Sequence, residues 1–151
     1  YLYDDYFIEL IGDGRHVAKE TMQLAVKIKG SGHINLTGDS MRAAGEANAQ
    51  ESYLGNICPE NRVIIEDGVA KLPDRSSYAG SIATVDRIFQ NAVLNYDISV
   101  INAVEMLAAT PAQLIGAKTK GSLEPGKDCD AVLWDNDLNI AGLFFQGRHI
   151  V

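Results

Sequence analysis

The spacing of apolar positions changes repeatedly along this chain, and each change predicts a different element. Residues 7–12 (FIELIG) form a short apolar run suited to a buried strand, which ends in Asp13, Gly14, Arg15 and His16. From about Ala18 the spacing turns helical, with Met22, Ala25, Val26 and Lys29 on one side, until Gly30 and Gly32 stop it. Residues 34–37 predict a second strand, closed by Gly38, Asp39 and Ser40. After Gly45 short alternating runs at 62–65 and 69–72 flank Glu66, Asp67 and Gly68, and Asp-Gly in that position signals a hairpin. Residues 73–81 (PDRSSYAGS) read as a loop leading into helical spacing at Val85, Ile88, Phe89, Ala92 and Val93. Ser99 is the expected cap of a further helix whose apolar side is chiefly Ile101, Val104, Met106 and Leu107, and Pro111 opens its final turn. Beyond Gly121 the pattern is β-rich, with strands at 131–134 and 143–145, a tight turn at Gln146 and Gly147, and a last strand at 149–151.

This order is that of an α/β protein containing two strand-then-helix units. If the first two strands are parallel neighbours joined by a right-handed crossover, Asp13 and His16 after one and Asp39 after the other open on the same rim. In α/β barrels the ends of the strands carry the chemistry, which makes Asp39 the first candidate for a catalytic carboxylate. Taken by itself, an Asp between a strand and a small-residue run is equally a turn former or a helix N-cap.

Length and charge narrow the field. A chain of 151 residues with 46% hydrophobic positions builds one ordinary domain. A complete barrel takes about 250 residues, so a barrel reading makes this chain a piece of one. Thirteen Lys and Arg against 20 Asp and Glu give a net charge of −7 with no basic block, which argues against a nucleic-acid partner. No apolar run approaches the ~20 residues of a membrane helix, and the first residues lack the basic start of a signal peptide, so the expected setting is soluble and cytoplasmic. Cys58 and Cys129 have no CxxC spacing and read as free thiols. His16, His33 and His149 share no metal-binding spacing, so no metal site is expected from this chain alone. His33 and His149 read as structural or solvated.

Five segments carry a resemblance: IGDGRHV at 11–17, LTGDSMRAAG at 36–45, YAGS at 78–81, TPAQLIG at 110–116 and KGSLEPGKDCDAVLWD at 120–135. In order and in combination they resemble the C-terminal part of the N-acetylglucosamine-6-phosphate deacetylase family, within the amidohydrolase superfamily. The last segment marks only the superfamily, whereas the first three point to the deacetylases. The resemblance implies the last two β/α units of a (β/α)8 TIM-type barrel over residues 1–120, with an inserted hairpin. Residues 121–151 would supply closing strands of a small β-sandwich domain. It also implies removal of acetate from N-acetylglucosamine 6-phosphate in amino-sugar catabolism, with Asp39 as the catalytic acid/base. A divalent metal, expected to be zinc, lowers the pKa of a bound water and polarises the acetamide carbonyl, while the carboxylate takes the water's proton and passes it to the departing amine. His16 matches the family histidine that contacts the bound sugar phosphate, where an imidazole with a free donor can hold a hydroxyl or phosphate oxygen, with Asp13, Gly14 and Arg15 forming the rest of that substrate-binding loop; Tyr78, Ala79, Gly80 and Ser81 match a second, whose small residues admit the sugar.

Several positions depart from the family. Gly38 stands where Thr more often precedes the acid, placing a flexible residue beside one that must be fixed. Arg75, Ser76, Ser77 and Tyr78 replace a commoner Asp-Gly-Thr-Leu, and Cys129 replaces Ala, where it is expected only to pack. The family's metal-holding Glu and two His come from earlier strands. These 151 residues alone are therefore expected to lack activity, and to associate with another copy or with the remaining N-terminal part through open sheet edges. Two other readings stay open: an amidohydrolase acting on a cyclic amide or nucleobase, and a non-catalytic assembly module. YAGS could equally be a helix entry with Ser81 near the cap.

Overall fold

The computed structural model describes residues 2–46 and 48–151, a mixed α/β chain with three separate sheets; Tyr1 and Ala47, which fall in the expected barrel portion over 1–120, lie outside the described residues. Strand β1 (Ile8–Ile11), helix α1 (Lys19–Lys29) and strand β2 (Ile34–Thr37) form the first unit, with β1 and β2 parallel and Ile8 opposite Ile34. Side chains alternate across this sheet. Ile34 and Leu36 are buried, with Ile8 and Leu10 beside them, against the helices, while Asn35 donates to Glu9 Oε1 at 2.6 Å. Helix α1 buries Met22 and Ala25 and ends at Gly30, whose φ of 72° allows its N–H to bond Val26 O. Lys29 buries its stem and donates from Nζ to the carbonyl of Tyr3 at 2.6 Å, a group whose ends prefer different surroundings.

Helix α2 (Val85–Gln90) widens into a turn with i→i+5 bonding over Asn91–Asn95, and α3 (Val100–Val104) runs through a similar turn at Glu105–Ala109 into α4 (Thr110–Leu114). Ile88, Phe89, Ala92, Ala103 and Met106 complete the core with Met22, Ile34 and Leu36. The Ser99 cap forms as expected, accepting from Asn102 N–H at 3.2 Å. The expected apolar side of that helix needs correction: Ile101 is 80% exposed and Val104 is also exposed, while Ala103, Met106 and Thr110 are buried. At about 100° per residue, Ile101 lies about 200° around the helix from Ala103, on the outer side.

Between β2 and α2, four strands make an antiparallel meander: β3 (Glu51–Tyr53), β4 (Arg62–Glu66), β5 (Val69–Lys71) and β6 (Tyr78–Ser81). The Asp-Gly hairpin is present, with positive φ at Asp67 (54°) and Gly68 (77°), the pair a type I′ turn requires. Strand β3 has no apolar run to announce it and exists through its pairing with β4. The loop expected over 73–81 is in part strand: β6 pairs with β5 and buries Ala79 and Ser81 on alternate positions. Arg75 holds the intervening turn through two bonds to Glu66, at 3.0 and 2.6 Å.

The C-terminal sheet comprises β7 (Ala131–Trp134), β8 (Ile140–Phe145) and β9 (Arg148–His149), all antiparallel. It docks through Trp134, stacked on Phe89 at 4.4 Å, and through Gln90, which donates to Leu138 O. Cys129, expected to pack, is exposed ahead of β7 beside the β8–β9 turn; both cysteines are free thiols. His33 lies against Phe7 and His149 against Phe144. Among the described residues no closed barrel forms, and no helix is long and apolar enough to cross a membrane.

Candidate functional site

The loop after β1 is built around Asp13. Its Oδ1 accepts the N–H of Arg15 at 2.9 Å and of His16 at 3.0 Å, and its Oδ2 lies 2.8 Å from His16 Nδ1. The carboxylate is almost wholly enclosed. Burial pushes its pKa up, but the two backbone N–H bonds, with the bond and charge of His16, outweigh that and hold it below the usual carboxylate value. Two residues not singled out from the sequence anchor the loop from the helical layer. Tyr96 OH accepts Gly14 N–H and donates to Val17 O, each at 3.1 Å, and Asn91 donates to Gly12 O at 3.2 Å. The available signal was a Tyr and an Asn along an apolar helical stretch, where a buried polar atom needs a partner.

The second strand ends at the same edge. Gly12 N–H bonds Thr37 O at 2.9 Å, so the pairing of β1 and β2 runs up to the residues that precede Asp13 and Asp39. Asp39 is exposed and adopts a left-handed backbone, φ 46°, which is uncommon outside glycine and tolerated best by Asp and Asn. No helix starts there; hydrogen-bonded turns follow, beginning with Ala44 N–H to Met41 O, which removes the N-cap reading. Gly38 is hemmed in rather than loose: a Cβ there would meet Ser40 Oγ at 2.3 Å and Ile88 Cδ1 at 3.0 Å.

Strand β6 brings the third segment alongside. Ser81 N–H bonds the Asp39 carbonyl at 3.0 Å, and Met41 N–H bonds the Ser81 carbonyl at 2.8 Å. Gly80 has φ 86°, and a Cβ on it would stand 3.4 Å from the Asp39 carbonyl oxygen, so both conformation and space favour glycine. Tyr78 sets its ring edge-on to His16, with centroids 5.0 Å apart. The helix-entry reading of Ser81 is also corrected, because Thr84 is the N-cap of α2 and Ser81 Oγ instead accepts Ala83 N–H. The structure thus gathers all the sequence-predicted site residues at one end: Asp13 to His16 after β1, Asp39 after β2 and Tyr78 to Ser81 on β6.

A cleft of about 890 Å³ adjoins this end, with Asp13, Gly14, Arg15, Glu46, Asp86 and Arg87 among its lining. The Gly68 hairpin tip approaches it: a Cβ on Gly68 would lie 3.8 Å from an Arg15 guanidinium nitrogen. Among the described residues no three His, Cys, Asp or Glu side chains are placed to hold a metal ion. Both Asp13 oxygens are already engaged within the loop, which leaves neither free for a metal ion.

Residues 79–150 match the model of the amidohydrolase family. A rat N-acetylglucosamine-6-phosphate deacetylase is 30% identical over 94% of this chain and 34% of its own length. An Escherichia coli K12 protein, whose assignment as an N-acetylgalactosamine-6-phosphate deacetylase is itself provisional, is 30% identical over 94% of this chain and 81% of its own length. The crystal structure of a Thermotoga maritima N-acetylglucosamine-6-phosphate deacetylase superposes with a TM-score of 0.86 at 30% identity, covering 98% of this chain and 39% of that one. The chain thus spans about a third of the length of the first curated relatives it matches, 34% of the rat protein and 35% of a Shewanella one.

Proposed function

We propose, from the premise that this chain belongs to the amidohydrolase family, that it is part of an enzyme removing acetate from N-acetylglucosamine 6-phosphate. The observation that carries this reading is the meeting of Asp39, His16 and strand β6 at one end of the parallel pair. In this reading β1 with α1, and β2 with the helices that follow, are the last two units of a β/α barrel, and β7 to β9 are closing strands of a small sandwich domain. Asp39, exposed at the end of β2, accepts the proton of the water that attacks the acetamide carbonyl. It returns that proton to the amine nitrogen as the C–N bond breaks, releasing acetate and glucosamine 6-phosphate. His16 contacts the sugar, Arg15 and the backbone at Gly14 line its approach, and Ala79 and Gly80 let the sugar close on β6.

A divalent metal would activate the attacking water, but among the described residues no three side chains are placed to hold it, so none of the steps assigned here runs through it. The setting that goes with this reading is cytoplasmic amino-sugar catabolism.

The test is zinc-supplemented acetate release by the complete gene product, offered N-acetylglucosamine 6-phosphate, N-acetylgalactosamine 6-phosphate and dihydroorotate in parallel. Asp39→Asn removes the proton acceptor while keeping the shape, and is expected to lower turnover by about 10²–10⁴-fold. Turnover of the galactosamine compound alone would redirect the sugar assignment. Turnover of the cyclic amide alone would point to another branch of the superfamily. Full activity in Asp39→Asn would leave Asp39 a turn former and remove this mechanism.

A further inference from the structure

The carboxylate of Asp13 does two separable things. One oxygen closes the loop by accepting two backbone N–H groups, a task that an Asn or Ser side chain performs as well. The other oxygen, Oδ2, faces His16 Nδ1 at 2.8 Å. A carboxylate can only accept, so in a neutral imidazole the proton must sit on Nδ1 and Nε2 must carry the lone pair. The ring is also held from turning, because Tyr78 meets it edge-on while Tyr96 and Asn91 tie down the loop beneath. Among the described residues the bond to Asp13 is the only side-chain hydrogen bond of His16, and its side chain is 18% exposed.

We propose that Asp13 is a positioning residue that does not touch substrate: it fixes the proton of the neutral His16 ring on Nδ1 and sets the direction in which Nε2 faces. The role of His16 as a sugar contact rests on the proposed function, whereas the hold of Asp13 on His16 does not.

The test uses the chain itself, with ring-nitrogen NMR of His16 at the alkaline plateau of its titration. The wild type is expected to show a protonated Nδ1 and an unprotonated Nε2. In Asp13→Asn the amide oxygen stays on the two backbone donors, since turning it over would set NH₂ against both. The amide NH₂ then faces Nδ1, and the two ring-nitrogen resonances should exchange, with the proton moved to Nε2. Asp13→Ser, which keeps a loop acceptor but cannot reach the ring, should give a mixture of tautomers. A wild-type Nε2–H form, or an Asn variant with the wild-type tautomer, overturns the proposal.

Discussion

Replacing Tyr96 with Phe removes one oxygen atom and tests whether the site is held from below. The Tyr96 ring is 2% exposed, so the substitution keeps the packing of the core and opens no large cavity. Burial pushes the phenol pKa upward, which leaves the hydroxyl protonated at ordinary pH, donating to Val17 O and accepting from Gly14 N–H. Each such bond contributes about 0.5–1.5 kcal/mol net. Gly14 is exposed, so its freed N–H regains water and the penalty for an unsatisfied donor is small. The expected loss is therefore about 1–2 kcal/mol, equivalent to a fall in Tm of about 2–4 °C per kcal/mol for a domain of this size. Thermal unfolding by circular dichroism gives the total, and amide exchange locates it, with Gly14 expected to exchange faster than the strand amides of β1. An unchanged Tm together with unchanged exchange at Gly14 would refute the idea that the helical layer anchors the loop.

Other consequences are equally direct. Because the folded pKa of Asp13 lies below the ordinary value of 3.8, the stability it contributes is complete above that value and is lost as pH falls through the lower folded pKa. Urea midpoints across about pH 2–5 should fall less steeply in Asp13→Asn than in the wild type, and parallel curves would contradict this. Gly12→Ala would bring a Cβ within 2.6 Å of Ile88 and 2.9 Å of Leu36, an overpacking expected to cost about 1–3 kcal/mol in chemical unfolding; a neutral result would show that α2 moves aside freely. The 151-residue chain, dialysed against zinc, is expected to retain no stoichiometric metal by elemental analysis and to release no acetate; robust turnover by the chain alone would mean that it assembles a metal site by another route.

The resemblance reaches further than the local patterns do, and the difference has a physical basis. Ile34–Thr37 and Ala131–Trp134 were readable to the residue because apolar or alternating runs are bounded by Gly, Pro and Asp, and the Asp67-Gly68 turn because few residues accept positive φ at both positions. Strands β3 and β6 were not readable, since Glu51–Tyr53 and Tyr78–Ser81 owe their extended form to partners across the sheet rather than to their own periodicity. The outward turn of Ile101 was missed for a related reason: an apolar residue on a helix does not declare which side of the helix finds a neighbour.

The same division runs through the site. Asp39, His16 and the small residues of YAGS could be named from the chain alone, because side-chain chemistry is local and motifs preserve it. Their meeting is a property of the fold. It takes a parallel pairing across 26 residues to bring Asn35 to Glu9, and a bridge from Ser40 to Ser81 to carry β6 to the turn at Asp39. The same holds for the assignment of Asp13: sequence offered a loop acid beside a histidine, while the direction of each oxygen, one to the backbone and one to the ring, exists only once the loop is closed. Residue types determine which protons can be held, and the long-range contacts of the folded chain decide where they are held.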